Sequence, residues 1–262
     1  MKAIVLTITS GKGGVGKTTA TDNLAIALAE LGKKVVCIDS DIGLRNLDVV
    51  MGLENRIVYD LVDIVEGRCK PKQAMIHDKR MQELYLIPAA QTRDKNAISP
   101  QQMIKLCDEL RPDFDWILID SPAGIERGFQ NAIAPADQVI VITNPDVSAV
   151  RDADRIIGLI DSQQKGPARL VINRVNPTMV KRGEMLDVDD ILDLLAVKLI
   201  GIVPEDEHVV ISTNRGQPVV LESKSKAGQA FRNIAHRLNG EEVPFLSLEE
   251  KEDLFKRLFG RK

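Results

Sequence analysis

The run Gly11-Lys12-Gly13-Gly14-Val15-Gly16-Lys17-Thr18 sets four glycines, two lysines and a hydroxyl within eight residues, with a further hydroxyl at Thr19. It fits the pattern G-x-x-x-x-G-K-[ST]. Glycines at these places let backbone N–H groups turn inward around phosphate oxygens. Lys17 would neutralise the β and γ phosphates, and Thr18 would ligate Mg²⁺. A short apolar run precedes the motif and a helical pattern follows it. The N-terminus of that helix adds its partial positive charge to the anion site. Lys12 cannot easily share the pocket filled by Lys17. Two readings stay open on spacing alone: a solvated surface lysine, or a cation that reaches phosphates held by a second subunit, used as an arginine finger is used.

Carboxylates stand at the ends of two apolar runs. Residues 34–39 end at Asp39 and run into Ser40-Asp41, and residues 116–120 end at Asp120 and run into Ser121-Pro122. In an open parallel sheet, strand C-termini face the ligand crevice, which brings these acids beside the phosphate loop. Asp120 is expected to hold Mg²⁺, directly or through a coordinated water. The alternative is a helix cap or a turn acid.

The elements that must carry these residues follow from hydrophobic patterning. Short runs of strand length recur at 3–8, 34–39, 84–87, 116–120, 138–143, 169–173 and 199–203, several rich in Val and Ile without polar alternation. Buried parallel strands read this way. Helical spacing occupies 18–31, 100–110, 147–162 and 224–238. Strand alternating with helix predicts an α/β fold: one P-loop domain over residues 1–240 with a mostly parallel sheet covered by helices on both faces. The chain has 262 residues, 44% of them hydrophobic, enough for a sizeable core in one domain. Its net charge of -3 argues against the broad basic surface of a nucleic-acid-binding protein. Cys37, Cys69 and Cys107 have neither CxxC nor zinc-ligand spacing and are expected as reduced thiols, in keeping with a cytoplasmic location. No run approaches the ~18 uncharged apolar residues that span a bilayer. The first ten residues read as a strand rather than a leader.

Beyond residue 240 the chain turns acidic, passes Pro244 and ends in a tail rich in Phe, Leu, Lys and Arg. Residues 241–248 are expected as a linker and 249–262 as an amphipathic helix. At the helical period of about 100° per residue, Leu254, Phe255, Leu258 and Phe259 share one arc, flanked by Lys256 and Arg257. Such a segment either docks on its own domain or lies in a membrane interface, apolar side in acyl chains and cations at anionic headgroups.

The stretch from Lys12 to Thr19 resembles the deviant Walker A motif of the MinD/ParA family of P-loop ATPases. Residues 41–48, 88–95, 120–126 and 143–152 are similar to the septum-site-determining branch of that family, and the likeness covers essentially the whole chain. The resemblance implies ATP and Mg²⁺ as cofactors, hydrolysis to ADP and phosphate, and an ATP-sandwich homodimer in which Lys12 acts in trans. It places a switch at residues 41–48, with Asp41 orienting the attacking water and Asp39 assisting the metal. It has Asn173, Arg174, Pro204, Glu205 and Asp206 frame the adenine. The tail becomes a membrane-targeting sequence, through Leu254, Phe255, Lys256, Arg257, Leu258 and Phe259, for the anionic inner face of the cell membrane. A MinC-like division inhibitor and a MinE-like activator are the implied partners, and placing the division septum the implied role. A DNA-partitioning relative would instead show a basic C-terminal helix face and no apolar tail; the tail and the mildly negative charge oppose that reading, so no nucleic acid is expected.

Overall fold

The computed structural model describes residues 2–93 and 97–247. The expected tail helix and its six membrane residues lie outside the described residues. The strands are β1 (Ile4–Thr9), β2 (Val35–Asp39), β3 (Ile76–His77), β4 (Leu84–Ile87), β5 (Trp116–Asp120), β6 (Gln138–Thr143), β7 (Ala168–Val175) and β8 (Lys198–Pro204). They form one sheet in the order β3-β4-β2-β5-β1-β6-β7-β8, parallel except for the β3–β4 edge. The helices are α1 (Lys17–Glu30), α2 (Leu47–Val50), α3 (Leu61–Val65), α4 (Pro71–Ala74), α5 (Pro100–Leu110), α6 (Arg127–Ile133), α7 (Val147–Ser162), α8 (Pro177–Lys181), α9 (Val188–Leu195), α10 (Glu207–Asn214) and α11 (Lys226–Leu238).

Central strands are buried on both faces because helices cover both. On one face α1 and α11 pack against Leu6, Ile8, Val35, Cys37, Leu118 and Ile140. On the other, α3 and α5 cover Val36, Ile38, Ile117 and Ile119, while α6, α7 and α9 cover Val139, Val141, Leu170 and Ile172. Residues 20–28 of α1 are all buried, since the helix lies between the sheet and α11. Local signals set where helices start. Ser99 and Gln102 form a reciprocal cap on α5, with Pro100 at its first position, and Asp146 caps α7 by accepting from the Ala149 N–H at 2.9 Å.

Register decides what the sheet presents at its C-terminal edge. Ile8 pairs with Asp120 across β1 and β5, and Asp39 pairs with Asp120 across β2 and β5. Both acids therefore leave the same edge side by side, next to the loop that follows β1. The sequence-predicted strands agree with the observed ones to within one or two residues. Two differences stand out: the two-residue antiparallel β3, too short to carry a period, and the continuation of β7 through Asn173 and Arg174 to Val175. The β7–β8 register slips between Ile172 and Val175, and Arg174 takes a left-handed φ of 57°. Residues 241–247 carry neither helix nor strand, and they lie on the domain rather than standing away from it: Leu246 packs against the core and Arg237 bonds the Val243 and Pro244 carbonyls.

Candidate nucleotide-binding site

The loop from Ser10 to Gly16 joins β1 to α1 and is braced from outside. Ser10 Oγ donates to the Lys12 carbonyl at 2.7 Å, and the Gly124 N–H, from the loop after β5, donates to the Ser10 carbonyl at 3.2 Å. Asn173, at the end of β7, donates its side-chain N–H to the Val15 carbonyl at 2.7 Å. Two glycines are required by this packing. A Cβ on Gly11 would meet the Asp152 carbonyl oxygen at 2.3 Å. Gly16 has φ of 101°, and a Cβ there would meet Asn173 Nδ2 at 2.4 Å. The loop thus leads into the first turn of α1, where a helix's N–H groups have no intrahelical acceptor and its dipole favours an anion.

Lys17 opens α1 and is only 8% exposed. Burial lowers its ammonium below the usual range, against the pull of Asp120 and Asp41. Asp120 is nearly buried, and burial pushes its carboxyl up to about 6, opposed by a hydrogen bond from Thr18, the Lys17 charge and a hydrogen bond from Thr21. The Thr21 hydroxyl stands 3.2 Å from Asp120 Oδ1 and also donates to the Lys17 carbonyl at 3.0 Å. Asp39 is fully buried, and its carboxyl is raised well above the usual range by burial first and the neighbouring Asp120 second. Its two oxygens accept the Asp41 and Leu47 N–H groups at 2.9 and 3.1 Å. Asp39 therefore holds the stretch from Asp41 to Leu47 in place. Asp41 is partly exposed and close enough to act on the charges of Lys17, Asp39 and Asp120. A cleft of about 260 Å³ opens beside it, lined by Ser40, Asp41, Ile42, Pro122, Arg127 and Asn131.

These charges fit a polyanion bound with a divalent cation. Among the described residues, no group of three or more His, Cys, Asp or Glu could hold a metal by itself. Thr18 and Asp120 offer a hydroxyl and a carboxylate only, the partial ligand set that Mg²⁺ takes when phosphates and waters complete its shell.

Lys12 does not turn in beside Lys17. Its Nζ donates to Ser148 Oγ at 2.7 Å and lies 3.6 Å from Asp146 Oδ1, at the N-terminus of α7, with its side chain 45% exposed. The residues expected to frame a base divide. Asn173 spends its amide on the phosphate loop, Arg174 is exposed, and Pro204 is buried at the end of β8. Glu205 accepts from Asn176 Nδ2 at 2.9 Å. Asp206 caps α10 and accepts from the His208 N–H at 2.9 Å, Ser225 Oγ at 2.7 Å and the Ala227 N–H at 3.1 Å. Burial pushes its carboxyl up, but these bonds prevail and hold it at about 2. Its side chain belongs to the α10–α11 junction. Sequence reasoning missed Thr21, Asp146 and Ser148. Thr21 was detectable, standing one helical turn after Lys17 on the side of α1 that meets Asp120; Asp146 and Ser148 carry no local signal linking them to Lys12.

Comparison with known proteins agrees with this geometry. The family model described as the CobQ/CobB/MinD/ParA nucleotide binding domain matches residues 6–219. The septum site-determining protein MinD of Bacillus subtilis is 55% identical over 248 residues, 94% of this chain and 92% of that protein. MinD in the MinC:MinD cell division protein complex of Aquifex aeolicus superposes with a TM-score of 0.88 at 51% identity, covering 94% of this chain and 99% of that one. MinD of Pyrococcus horikoshii, complexed with Mg-ADP, gives 0.81 at 29% identity, covering 90% and 96%. With its double-lysine phosphate loop and parallel sheet, this chain belongs to the CobQ/CobB/MinD/ParA nucleotide-binding family, within its MinD branch.

Proposed function

We propose that this chain is a Mg²⁺-dependent ATPase that dimerises around ATP, binds the membrane through its tail, recruits a MinC-like division inhibitor, and is released when a MinE-like activator stimulates hydrolysis. The observation that carries the reading is the division of labour between two lysines of one loop. Lys17 is buried over the acids at the sheet edge, while Lys12 points out along the surface, where a second subunit can meet it. Thr18 and Asp120 would hold Mg²⁺, which supplies charge neutralisation at the phosphates. Asp41 would orient water toward the γ-phosphate, and a base that only orients water suits slow turnover. The backbone after β8, at Pro204 and Glu205, and the exposed side of Arg174 are left for the adenine. The MinC contact rests on the MinC:MinD complex of the Aquifex aeolicus relative.

The tail explains why ATP would control membrane binding. Burying Leu254, Phe255, Leu258 and Phe259 contributes ~1.5–3 kcal/mol each. Ordering about ten residues costs on the order of 1 kcal/mol apiece. One tail is therefore marginal. A dimer presents two, and the second meets the bilayer at high effective concentration, raising avidity by roughly 10²–10⁴. Light-scattering mass in Mg-ATP and Mg-ADP, followed alongside phosphate release, tests the dimer step. The expected result is a dimer in ATP that decays as phosphate appears; a monomer in both nucleotides would reject it.

A further inference from the structure

At the opposite end of the sheet from the phosphate loop, three cations line one cleft of about 750 Å³: Arg169 of β7, Lys198 of β8 and Arg237 of α11. Arg169 and Lys198 are directly opposed in the β7–β8 register. Like charges so placed repel. Neither side chain makes a hydrogen bond or ion pair among the described residues. Arg237 is pinned by three carbonyls, those of Ile200 at 2.8 Å, Val243 at 2.9 Å and Pro244 at 2.8 Å, and its guanidinium sits over the Phe245 ring at 4.2 Å. None of its acceptors is a carboxylate, so its charge stays available to an anion. Of the two acids at the rim, Glu241 is engaged by His236 at 2.8 Å and by Asn239 at 3.2 Å. Glu242 is exposed. Phe245, 44% exposed, forms an apolar lip.

The cleft is also close to the tail in sequence, Phe245 preceding Leu254 by nine residues. Ser247 is the last described residue, and Leu254 follows seven residues later. At no more than ~3.6 Å per residue, the nine residues from Phe245 place the first apolar residue of the tail at most about 32 Å from the cleft. Cations beside an exposed aromatic ring are what an interfacial surface presents. We propose that this cleft binds the phosphate of an anionic phospholipid headgroup, giving the folded domain its own membrane contact next to the tail. The inference rests on the reading of the tail as a membrane anchor.

The test uses the full-length protein with ATP, sedimented with vesicles of phosphatidylcholine alone or mixed with phosphatidylglycerol. Arg169→Gln/Lys198→Gln is expected to weaken binding to the mixed vesicles by roughly tenfold or more, at about 1 kcal/mol per cation near an anionic surface. Turnover without vesicles should be unchanged. Neutralising two exposed lysines on another face, Lys70→Gln/Lys105→Gln, should change binding by about twofold at most, because charges farther than a Debye length of ~8–10 Å from the bilayer are screened. Equal loss in both double variants would reduce the effect to net charge and overturn the proposal. Tighter binding by Arg169→Gln/Lys198→Gln would also overturn it, because the cleft would then be holding the chain's own acidic stretch at residues 249–253. Displacement of wild type from vesicles by inorganic phosphate, but not by chloride at equal ionic strength, would make it a free-phosphate site instead. Undiminished vesicle binding after deletion of residues 254–262 would reject the tail reading separately.

Discussion

Gly16 and Asn173 form a pair whose coupling can be worked out beforehand. Alanine at Gly16 has to hold φ near 101°, and its Cβ lands 2.4 Å from Asn173 Nδ2. The left-handed backbone costs an L residue ~1–2 kcal/mol. The clash displaces the amide that donates to the Val15 carbonyl at 2.7 Å. Leaving that buried carbonyl unpaired adds about 1–3 kcal/mol. The sum, ~2–5 kcal/mol against the binding conformation of the loop, predicts ATP affinity lower by roughly 30-fold or more. Asn173→Ala removes only the hydrogen bond and should cost about 1–3 kcal/mol. In the double variant the clash no longer exists, so the two changes should add to less than their sum by ~1–3 kcal/mol. Titration with a fluorescent ATP analogue reads these affinities, and urea unfolding verifies that each variant is folded. Strict additivity, or wild-type affinity in Gly16→Ala, would refute the claim that Asn173 braces the loop.

Asp41→Ala should bind ATP and dimerise but release phosphate at least tenfold more slowly, the low end for loss of a positioned base, so that it accumulates on vesicles; wild-type turnover would remove Asp41 from the mechanism. Lys12→Ala should bind ATP as a monomer without forming the dimer, by light scattering; a dimer indistinguishable from wild type would leave Lys12 as a surface lysine tied to Ser148. For Asp206, held at about 2 in the fold against an ordinary value of 3.8, the lowered value means stability present above pH ~4 and lost as pH falls toward 2. Asp206→Asn should therefore be less stable than wild type at neutral pH by ~1 kcal/mol, after allowance for solvent screening. The gap should close between pH 4 and 2 in urea titrations, and a gap independent of pH would show that charge is not what the α10–α11 junction uses.

The phosphate loop, the acids at strand ends and most of the sheet were legible because each has a local signature. Glycines at fixed spacing, Val and Ile runs ending in Asp39 and Asp120, and apolar residues at helical spacing over 100–110 and 147–162 all speak within about sixteen residues of sequence. What was illegible depends on partners far along the chain. That Asn173 grips Val15, that Asp152 sits over Gly11, and that Lys12 rests on Ser148 are contacts across more than a hundred residues. Asp206 shows the same limit: no local signal foretells that its carboxylate joins the turn into α10 to the start of α11. The acidic, Pro-containing stretch after Gly240 reads as a tether, and only the position of Arg237 on α11 reveals that it is held to the domain through Phe245.

The most direct test of the account is co-sedimentation of the full chain with anionic vesicles in Mg-ATP, in Mg-ADP and without nucleotide, with phosphate release followed in the same samples. The account predicts sedimentation in ATP alone, declining in step with phosphate release, and none in ATP once residues 254–262 are deleted. Equal sedimentation in all three nucleotide conditions, or binding that persists after ATP is exhausted, would contradict an ATP-gated membrane cycle.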